Sequence, residues 1–192
     1  MQAQQAEFPL HRAKGVRMLI LDVDGVLTDG SIIMDNQGEE WKGFNVRDGH
    51  GIKMLQRAGI RLAILTGRTS GVVASRARDL GIEHVVQGSL RKSEGLDTLL
   101  QQTGLDASDC AFMGDDVVDL PPMRRCRLGF APCDAHCSVL GVADWVADCA
   151  GGRGAVRQVA EGLILANAAW QAVVETPYGI TPADCGWAER GH

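Results

Sequence analysis

The chain is organised around the stretch MLILDVDGV, residues 18–26. Its first four residues are all apolar, which is typical of a strand buried on both faces of a parallel sheet. The strand ends abruptly at two carboxylates, Asp22 and Asp24. Open α/β sheets bind ligands in the crevice beyond the carboxyl ends of their strands. This acidic turn is therefore the first candidate for a functional site.

Length and charge narrow the possible classes of protein. The chain has 192 residues and a formal net charge of -5, which fits one domain and argues against a nucleic-acid-binding surface. Residues 1–15 lack the apolar core of a signal peptide, and no later stretch is long enough to span a bilayer. We therefore expect a cytoplasmic protein with no membrane contact. We expect its six cysteines to be reduced, rather than Cys133 and Cys137 holding a metal.

Alternating strand and helix patterns follow the acidic turn. Further strands are predicted at residues 60–65, 84–86, 110–113, 127–131 and 144–146, and helices at residues 72–80, 93–103, 117–125, 134–140 and 155–172. In addition, Asp48 is placed to cap a helix that Gly59 ends. The alternation predicts an α/β fold, a doubly wound and mainly parallel sheet with helices on both faces.

We divide the chain into three parts. Residues 1–15 form an N-terminal tail, and residues 16–174 form the folded domain, with a β-hairpin insertion at about residues 30–46. Residues 175–192 contain prolines and glycines that break any periodicity, so we expect a mobile C-terminal tail. The insertion between Asp24 and Asp48 has only about 20 residues, too few for a cap domain with its own core.

Polar side chains follow four of the predicted strands. They are Asp22 and Asp24 after the first, Thr66 after the second, Lys92 just beyond the third, and Asp115 and Asp116 after the fourth. The topology brings all of them to one crevice. Converging carboxylates repel one another unless a cation lies among them, and an all-oxygen ligand set favours Mg²⁺.

Each of these residues also has a simpler explanation when it is considered alone. The two carboxylates of the first turn could be caps or turn formers, Thr66 a turn residue and Lys92 a solvated charge. Their joint occurrence at successive strand ends instead favours a phosphate site. There Thr66 would donate a hydrogen bond and Lys92 would supply a positive charge.

Four segments carry a family resemblance: DVDGV at residues 22–26, ILTGR at 64–68, QGSLRK at 87–92 and GDDVVD at 114–119. In this order they resemble the motifs of the haloacid dehalogenase superfamily of phosphotransferases. FNVRDGHG at residues 44–51 and GGRGAVR at 151–157 make the chain similar to the 3-deoxy-D-manno-octulosonate 8-phosphate phosphatase family. The resemblance implies a Rossmann-like fold without a cap domain, and hydrolysis of that sugar-acid phosphate in lipopolysaccharide precursor synthesis.

The same resemblance implies a role for each acidic residue that matches the motifs. Asp22 would be the nucleophile that forms an aspartyl phosphate, and Asp24 would be the general acid and base. Mg²⁺ would be held by Asp22, by the backbone carbonyl of Asp24 and by Asp115. Asp116 and Asp119 would support these ligands from behind.

The resemblance also implies which groups bind the substrate. Charge on the phosphate oxygens would be offset by Lys92, by Thr66 and by the backbone amides of Val23 and Gly67. The carboxylate of the sugar acid needs a guanidinium group, and the candidates are Arg47, Arg68 and Arg153. Considered alone, each arginine is more often part of a surface ion pair.

The family resemblance further implies a homotetramer in which the hairpins meet. Ile32, Ile33, Trp41 and Phe44 would then face another subunit, although they could instead pack on their own sheet. Two other functions stay open: a phosphatase of a related nonulosonate 9-phosphate, and a non-catalytic module that regulates or oligomerises. A phosphate-accepting receiver module fits less well, because the third strand is not followed by an aspartate.

Overall fold

A computed structural model describes residues 7–187 and contains one six-stranded parallel sheet. The strands are β1 (Met18–Leu21), β2 (Ile33–Met34), β3 (Glu40–Trp41), β4 (Arg61–Leu65), β5 (His84–Val86), β6 (Cys110–Met113), β7 (Leu128–Ala131) and β8 (Trp145–Val146). The spatial order in the large sheet is β5-β4-β1-β6-β7-β8, and β2 pairs with β3 in the separate hairpin. The predicted doubly wound fold is confirmed, as is the absence of a cap domain from the described residues.

Helices cover both faces of the sheet. They are α1 (Leu10–Ala13), α2 (Val46–Arg57), α3 (Gly71–Leu80), α4 (Lys92–Thr103), α5 (Leu120–Arg125), α6 (Cys137–Leu140), α7 (Ala155–Ala166) and α8 (Thr176–Tyr178). Residues 171–175 form a π-helix, and short 3₁₀ helices occupy residues 107–109, 117–119 and 183–185. Within residues 7–187, every helix is too short or too polar to cross a membrane.

Strand β1 lies inside the sheet, between β4 and β6. Its side chains alternate between the faces, as the period of a strand requires. Leu19 and Leu21 belong to the core beneath α2, α3 and α7, whereas Met18 and Ile20 belong to the core beneath α4, α5 and α6. All four are fully buried, and burial of such a side chain contributes about 1.5–3 kcal/mol. This burial explains why the strand has no polar residue before Asp22.

The prediction that Asp48 caps its own helix, α2, is wrong. Asn45 caps α2, its side chain accepting a hydrogen bond from the amide of Arg47. Asp48 lies in the first turn of α2, is buried, and accepts hydrogen bonds from the amides of Gly154 (3.1 Å) and Arg157 (2.8 Å). These amides belong to the N-terminus of α7, where backbone donors have no partner within the helix. Asp48 therefore caps a helix that begins more than one hundred residues later.

The two predicted tails are packed against the domain wherever the structure describes them. Phe8 and Trp187 are both buried, and their ring centroids are 5.7 Å apart. The indole Nε1 of Trp187 donates a hydrogen bond of 2.9 Å to Glu161 of α7. The expected mobile tail from residue 175 onward is therefore corrected up to Trp187, because an aromatic cluster anchors it. The rest of both predicted tails lies outside the described residues.

We predict that Asp48→Ala destabilises the protein by about 1–3 kcal/mol, because two amides of α7 lose their acceptor. Urea unfolding followed by circular dichroism measures this loss. Asp97→Ala serves as the control, since the Asp97 side chain is 53% exposed in its ion pair with Arg125 and such pairs contribute about 0–1 kcal/mol. Equal effects of the two substitutions would contradict the capping role.

Candidate active site

The candidate site is a cleft of about 270 Å³ at the carboxyl ends of β1, β4 and β6. Its lining includes most of the residues predicted from the motifs, namely Asp22, Asp24, Thr66, Gly67, Arg68, Lys92, Asp115 and Asp116. They converge because β1 pairs with both β4 and β6 in parallel, which places the ends of all three strands at one edge. This is the edge at which open α/β sheets bind ligands.

The turn after β1 is shaped by its backbone. The carbonyl of Val23 accepts hydrogen bonds from the amides of Leu27 (2.9 Å) and Thr28 (3.0 Å), which closes the turn. Gly25 has a φ of +84°, and a Cβ atom there would lie 2.1 Å from Oδ2 of Asp115. Only glycine allows both this backbone conformation and this close approach. The DVDG sequence thus lets the turn of β1 meet the acidic loop after β6.

Three carboxylates and one ammonium group form the centre of the cleft. Asp22, Asp115 and Asp119 each place one oxygen within 4.8 Å of the others. Nζ of Lys92, the first residue of α4, lies 2.8 Å from Asp22 and 2.5 Å from Asp119. The second oxygen of Asp119 accepts the amides of Asp115 (3.1 Å) and Asp116 (3.2 Å). Asp119, which is fully buried, thus holds both the acidic loop and the lysine.

Burial and mutual repulsion shift the pKa values of this cluster. Burial is the main reason that the pKa of Asp22 is raised to about 6, although Lys92 opposes the shift. The pKa of Asp115 is raised to about 7, first by burial and then by the charges of Asp22 and Asp119. Burial lowers the pKa of Lys92, but Asp22 and Asp119 outweigh it and keep the pKa above its ordinary value. One lysine therefore does not compensate the carboxylates fully.

The acidic cluster fits a divalent cation. Within residues 7–187, Oδ1 of Asp22 and Oδ1 of Asp115 are buried and have no hydrogen-bond partner. A buried and unpaired carboxylate oxygen is costly, and a bound cation removes that cost. Because all the donors are carboxylate oxygens, the set suits a hard ion such as Mg²⁺.

The turn after β4 is tied to the neighbouring β5 loop. Thr66 is buried, its amide donates to the carbonyl of Val86 (3.0 Å), and its carbonyl accepts the amide of Ser89 (3.1 Å). These bonds fix the position of Thr66 and Gly67, which line the cleft. The same loop leads into α4 and so sets the position of Lys92.

The site contains a lysine that the sequence analysis missed. Lys42 lies directly after β3 of the hairpin, and its side chain is only 1% exposed. Its ammonium contacts Oδ1 of Asp24 and lies 3.3 Å from Oε1 of Glu40. Arg68 also binds Glu40, at 2.6 Å, and its Nε lies 3.6 Å from Oδ2 of Asp24. No motif points to Lys42, because its position depends on how the hairpin folds back over the sheet.

Three of the predicted site residues do not join the centre of the cleft. Arg153 makes an exposed ion pair with Asp29 at 3.3 Å, and Arg47 lines a different groove beside Tyr178. Neither arginine lines the cleft that contains Asp22. Asp116 lies at the rim, where its side chain accepts the amide of Val117 (2.7 Å) and caps a 3₁₀ helix. Their positions in the sequence could not show that Arg68 lines the cleft whereas Arg47 and Arg153 do not.

The hairpin exposes most of its apolar residues. Ile32 is 56% exposed, Ile33 55% and Trp41 64%. Phe44, which we expected on the same surface, is instead partly buried against the core of its own subunit, and the Arg76 guanidinium lies 5.7 Å from its ring centroid. Only Asn45, the cap of α2, separates Phe44 from the helix, and this short connection keeps Phe44 on the domain.

The fold and the cleft define a haloacid dehalogenase-like hydrolase, and the model of that family matches residues 46–127. The 3-deoxy-D-manno-octulosonate 8-phosphate phosphatase of Salmonella typhi is 46% identical over 156 residues, covering 81% of this chain and 83% of that protein. The chain belongs to the 3-deoxy-D-manno-octulosonate 8-phosphate phosphatase family, as the motifs predicted.

Solved structures agree with this assignment. The structure of 3-deoxy-D-manno-octulosonate 8-phosphate phosphatase from Yersinia pestis superposes with a TM-score of 0.82 and 44% identity, covering 84% of this chain and 88% of that chain. The enzyme from Moraxella catarrhalis, solved in complex with a magnesium ion, a phosphate ion and a KDO molecule, gives a TM-score of 0.84 and 39% identity. That match covers 87% of this chain and 96% of the Moraxella chain.

We predict that, without a divalent cation, the free energy of unfolding falls as the pH rises from about 4 to about 7. The pKa values of Asp22 and Asp115 in the folded protein, about 6 and about 7, lie above the ordinary value of 3.8. The folded state therefore holds protons that the unfolded state releases, and this stabilisation is lost as the pH rises. Mg²⁺ should restore stability at neutral pH, because it favours the ionised carboxylates.

Urea unfolding over this pH range, in EDTA and in Mg²⁺, measures both effects. Asp115→Asn should remove most of the Mg²⁺ response, together with the part of the pH dependence that Asp115 causes. Asp97→Asn changes an exposed aspartate outside the cleft and should retain both. A wild-type protein that Mg²⁺ does not stabilise at neutral pH would contradict the cation site.

Proposed function

We propose that this protein is a Mg²⁺-dependent phosphatase that hydrolyses 3-deoxy-D-manno-octulosonate 8-phosphate to the free sugar acid and phosphate. The observation that carries the proposal is the buried carboxylate of Asp22, held by Lys92 at the floor of a cleft that Asp115 shares. The names of the Salmonella and Yersinia relatives support the same substrate. We place the reaction in the cytoplasm, because six unpaired cysteines suit a reducing compartment.

The reaction proceeds in two steps that use Asp22 and Asp24 in turn. The Asp22 carboxylate attacks phosphorus, so that its bond to phosphorus forms while the bond from phosphorus to the sugar oxygen breaks. Asp24 gives a proton to the leaving sugar oxygen. A water molecule then attacks the aspartyl phosphate, Asp24 takes a proton from it, and the bond between Asp22 and phosphorus breaks. Asp24 lines the same cleft and is less buried than Asp22, which suits a group that exchanges a proton with water.

The remaining groups of the cleft oppose negative charge. Lys92, the Thr66 hydroxyl and the amides of Val23 and Gly67 bind the phosphate oxygens, since two anions otherwise repel. Mg²⁺ would be held by Asp22, Asp115 and the backbone carbonyl of Asp24, with Asp116 and Asp119 supporting these ligands. When bound, it supplies positive charge to the phosphate and to the nucleophile. The Moraxella enzyme was solved with a magnesium ion and a phosphate ion, which supports a cation and a phosphate as ligands of this protein.

Arg68 is the group of this subunit that we assign to the substrate carboxylate. It follows Gly67 directly, lines the cleft, and keeps 45% of its side chain exposed. A guanidinium fork suits a carboxylate better than an ammonium does. Arg47 and Arg153 line other grooves of the same subunit, so we do not assign them to the substrate within one subunit.

The decisive experiment measures phosphate release from a panel of sugar phosphates, with Mg²⁺ and with EDTA. We expect the octulosonate 8-phosphate to be preferred, and Asp22→Asn to lower kcat by at least about 10³-fold because it removes the nucleophile. Asp97→Asn is the matched control, since it alters an exposed helical aspartate. Preference for a nonulosonate 9-phosphate would overturn the substrate, and no Mg²⁺-dependent release from any ester would overturn the enzyme.

We further propose that the chain forms a homotetramer through its hairpin. Ile32, Ile33 and Trp41 are each more than half exposed and lie together on the hairpin, and water-exposed apolar side chains of this kind favour a partner surface. A site without a cap also gains from a neighbour that excludes water.

Sedimentation equilibrium should give about four times the chain mass of 20.5 kDa, since the family resemblance implies a tetramer whose hairpins meet. We expect the Ile33→Asp, Trp41→Lys double variant to dissociate, since charge replaces the apolar surface. Val142→Lys, at a position that is 40% exposed elsewhere, should leave the mass unchanged. A monomeric wild type would contradict this assembly.

A further inference from the structure

We propose that Lys42 of the hairpin is a positioning residue for the acid and base Asp24. Its ammonium contacts Oδ1 of Asp24. Oδ2 of the same carboxylate lies 3.6 Å from the nearest guanidinium atom of Arg68, which is beyond hydrogen-bonding distance. Lys42 thus holds one oxygen of Asp24 directly, whereas the other makes only a longer ion pair with Arg68 and is the oxygen that transfers the proton. The inference rests on the proposed phosphatase activity.

Holding one oxygen matters because a carboxylate rotates easily about its terminal bond. Asp24 must reach the leaving oxygen in the first step and a water molecule in the second, and proton transfer needs a heavy-atom distance of about 2.6–3.2 Å. An ion pair to Oδ1 restricts the carboxylate to orientations in which Oδ2 faces the cleft. General acid–base catalysis contributes about 10²–10⁴-fold, so a poorly oriented Asp24 can lose a large part of the rate.

Lys42 is itself fixed by a second set of charges. Oε1 of Glu40 lies 3.3 Å from Lys42 and 2.6 Å from Arg68, and Oε2 accepts the hydroxyl of Ser70 at 2.7 Å. The Ser70 hydrogen bond is the first cause of a lowered pKa of Glu40, and the two cations add to it. Glu40 therefore joins the hairpin to the start of α3 and carries the charge that a buried lysine needs.

A test must separate positioning from a purely structural role. The first chemical step breaks the bond between phosphorus and the leaving oxygen, and that oxygen needs a proton only when it is strongly basic. A sugar alkoxide is strongly basic, whereas p-nitrophenolate leaves without protonation. Loss of general acid catalysis therefore slows release of the sugar and spares release of p-nitrophenolate, while a collapsed cleft slows both.

The experiment is a rapid-quench measurement of the first turnover with Mg²⁺, using octulosonate 8-phosphate and p-nitrophenyl phosphate. For Lys42→Met we expect the sugar phosphate to react about 10–100-fold more slowly, with a change of no more than about threefold for the burst of p-nitrophenolate. Lys42→Arg should recover most of the rate, since it keeps the charge. Lys53→Met changes a lysine of α2 outside the cleft and should react like the wild type on both esters.

A double-mutant cycle supplies a second readout that does not depend on the choice of ester. If Lys42 acts through Asp24, then Lys42→Met in the Asp24→Asn background should cost no more than about twofold on the sugar phosphate. Equal losses on the two esters, or a full additional loss in the Asp24→Asn background, would overturn the positioning role. A wild-type enzyme that cleaves neither ester would instead overturn the proposed phosphatase activity.

Discussion

The main physical constraint on this structure is the repulsion among three carboxylates that lie close together at the cleft, where burial reduces screening by water. Oxygens of Asp22, Asp115 and Asp119 lie within 4.8 Å of one another, and two like charges at such a distance repel by about 4 kcal/mol at an effective dielectric constant near 20. Lys92 offsets part of this repulsion, yet the pKa values of Asp22 and Asp115 remain raised. This incomplete charge compensation is the physical reason that the site suits a cation.

Topology explains why the carboxylates meet at all. Neighbouring strands lie about 4.8 Å apart. The sheet therefore brings together the residues that follow β1 and β6, whatever rotamers their side chains adopt. Glycine then removes the remaining steric barrier. The absence of a side chain at Gly25 leaves room for Asp115, and a Cβ atom at Gly114 would lie 2.4 Å from the side chain of Asp119. The site is therefore built chiefly from backbone proximity, which explains why short motifs suffice to recognise it.

Backbone proximity also explains what the sequence could and could not predict. Apolar runs and the acids that end them are local patterns, and they located the sheet and most residues of the cleft. Long-range partners leave no such pattern. Asp48 has the sequence position of a local helix cap, but its carboxylate oxygens accept hydrogen bonds from amides at the start of α7. Trp187 lies among glycines and alanines that indicate a tail, yet it packs on Phe8. Lys42 could not be found, because the fold of the hairpin over the sheet sets its contact with Asp24.

The hairpin shows how a short insertion can serve two surfaces at once. Side chains alternate along a strand, so Glu40 and Lys42 point toward the cleft while Trp41 between them points away and pairs with Ile33. Of the inward pair, Lys42 contacts Asp24 and Glu40 contacts Lys42. The outward pair, Ile33 and Trp41, is apolar and exposed. A partner surface against Ile33 and Trp41 would restrict the motion of the segment that carries Lys42. In the proposed tetramer, assembly would therefore also restrain the proposed general acid, because one segment of backbone carries both surfaces.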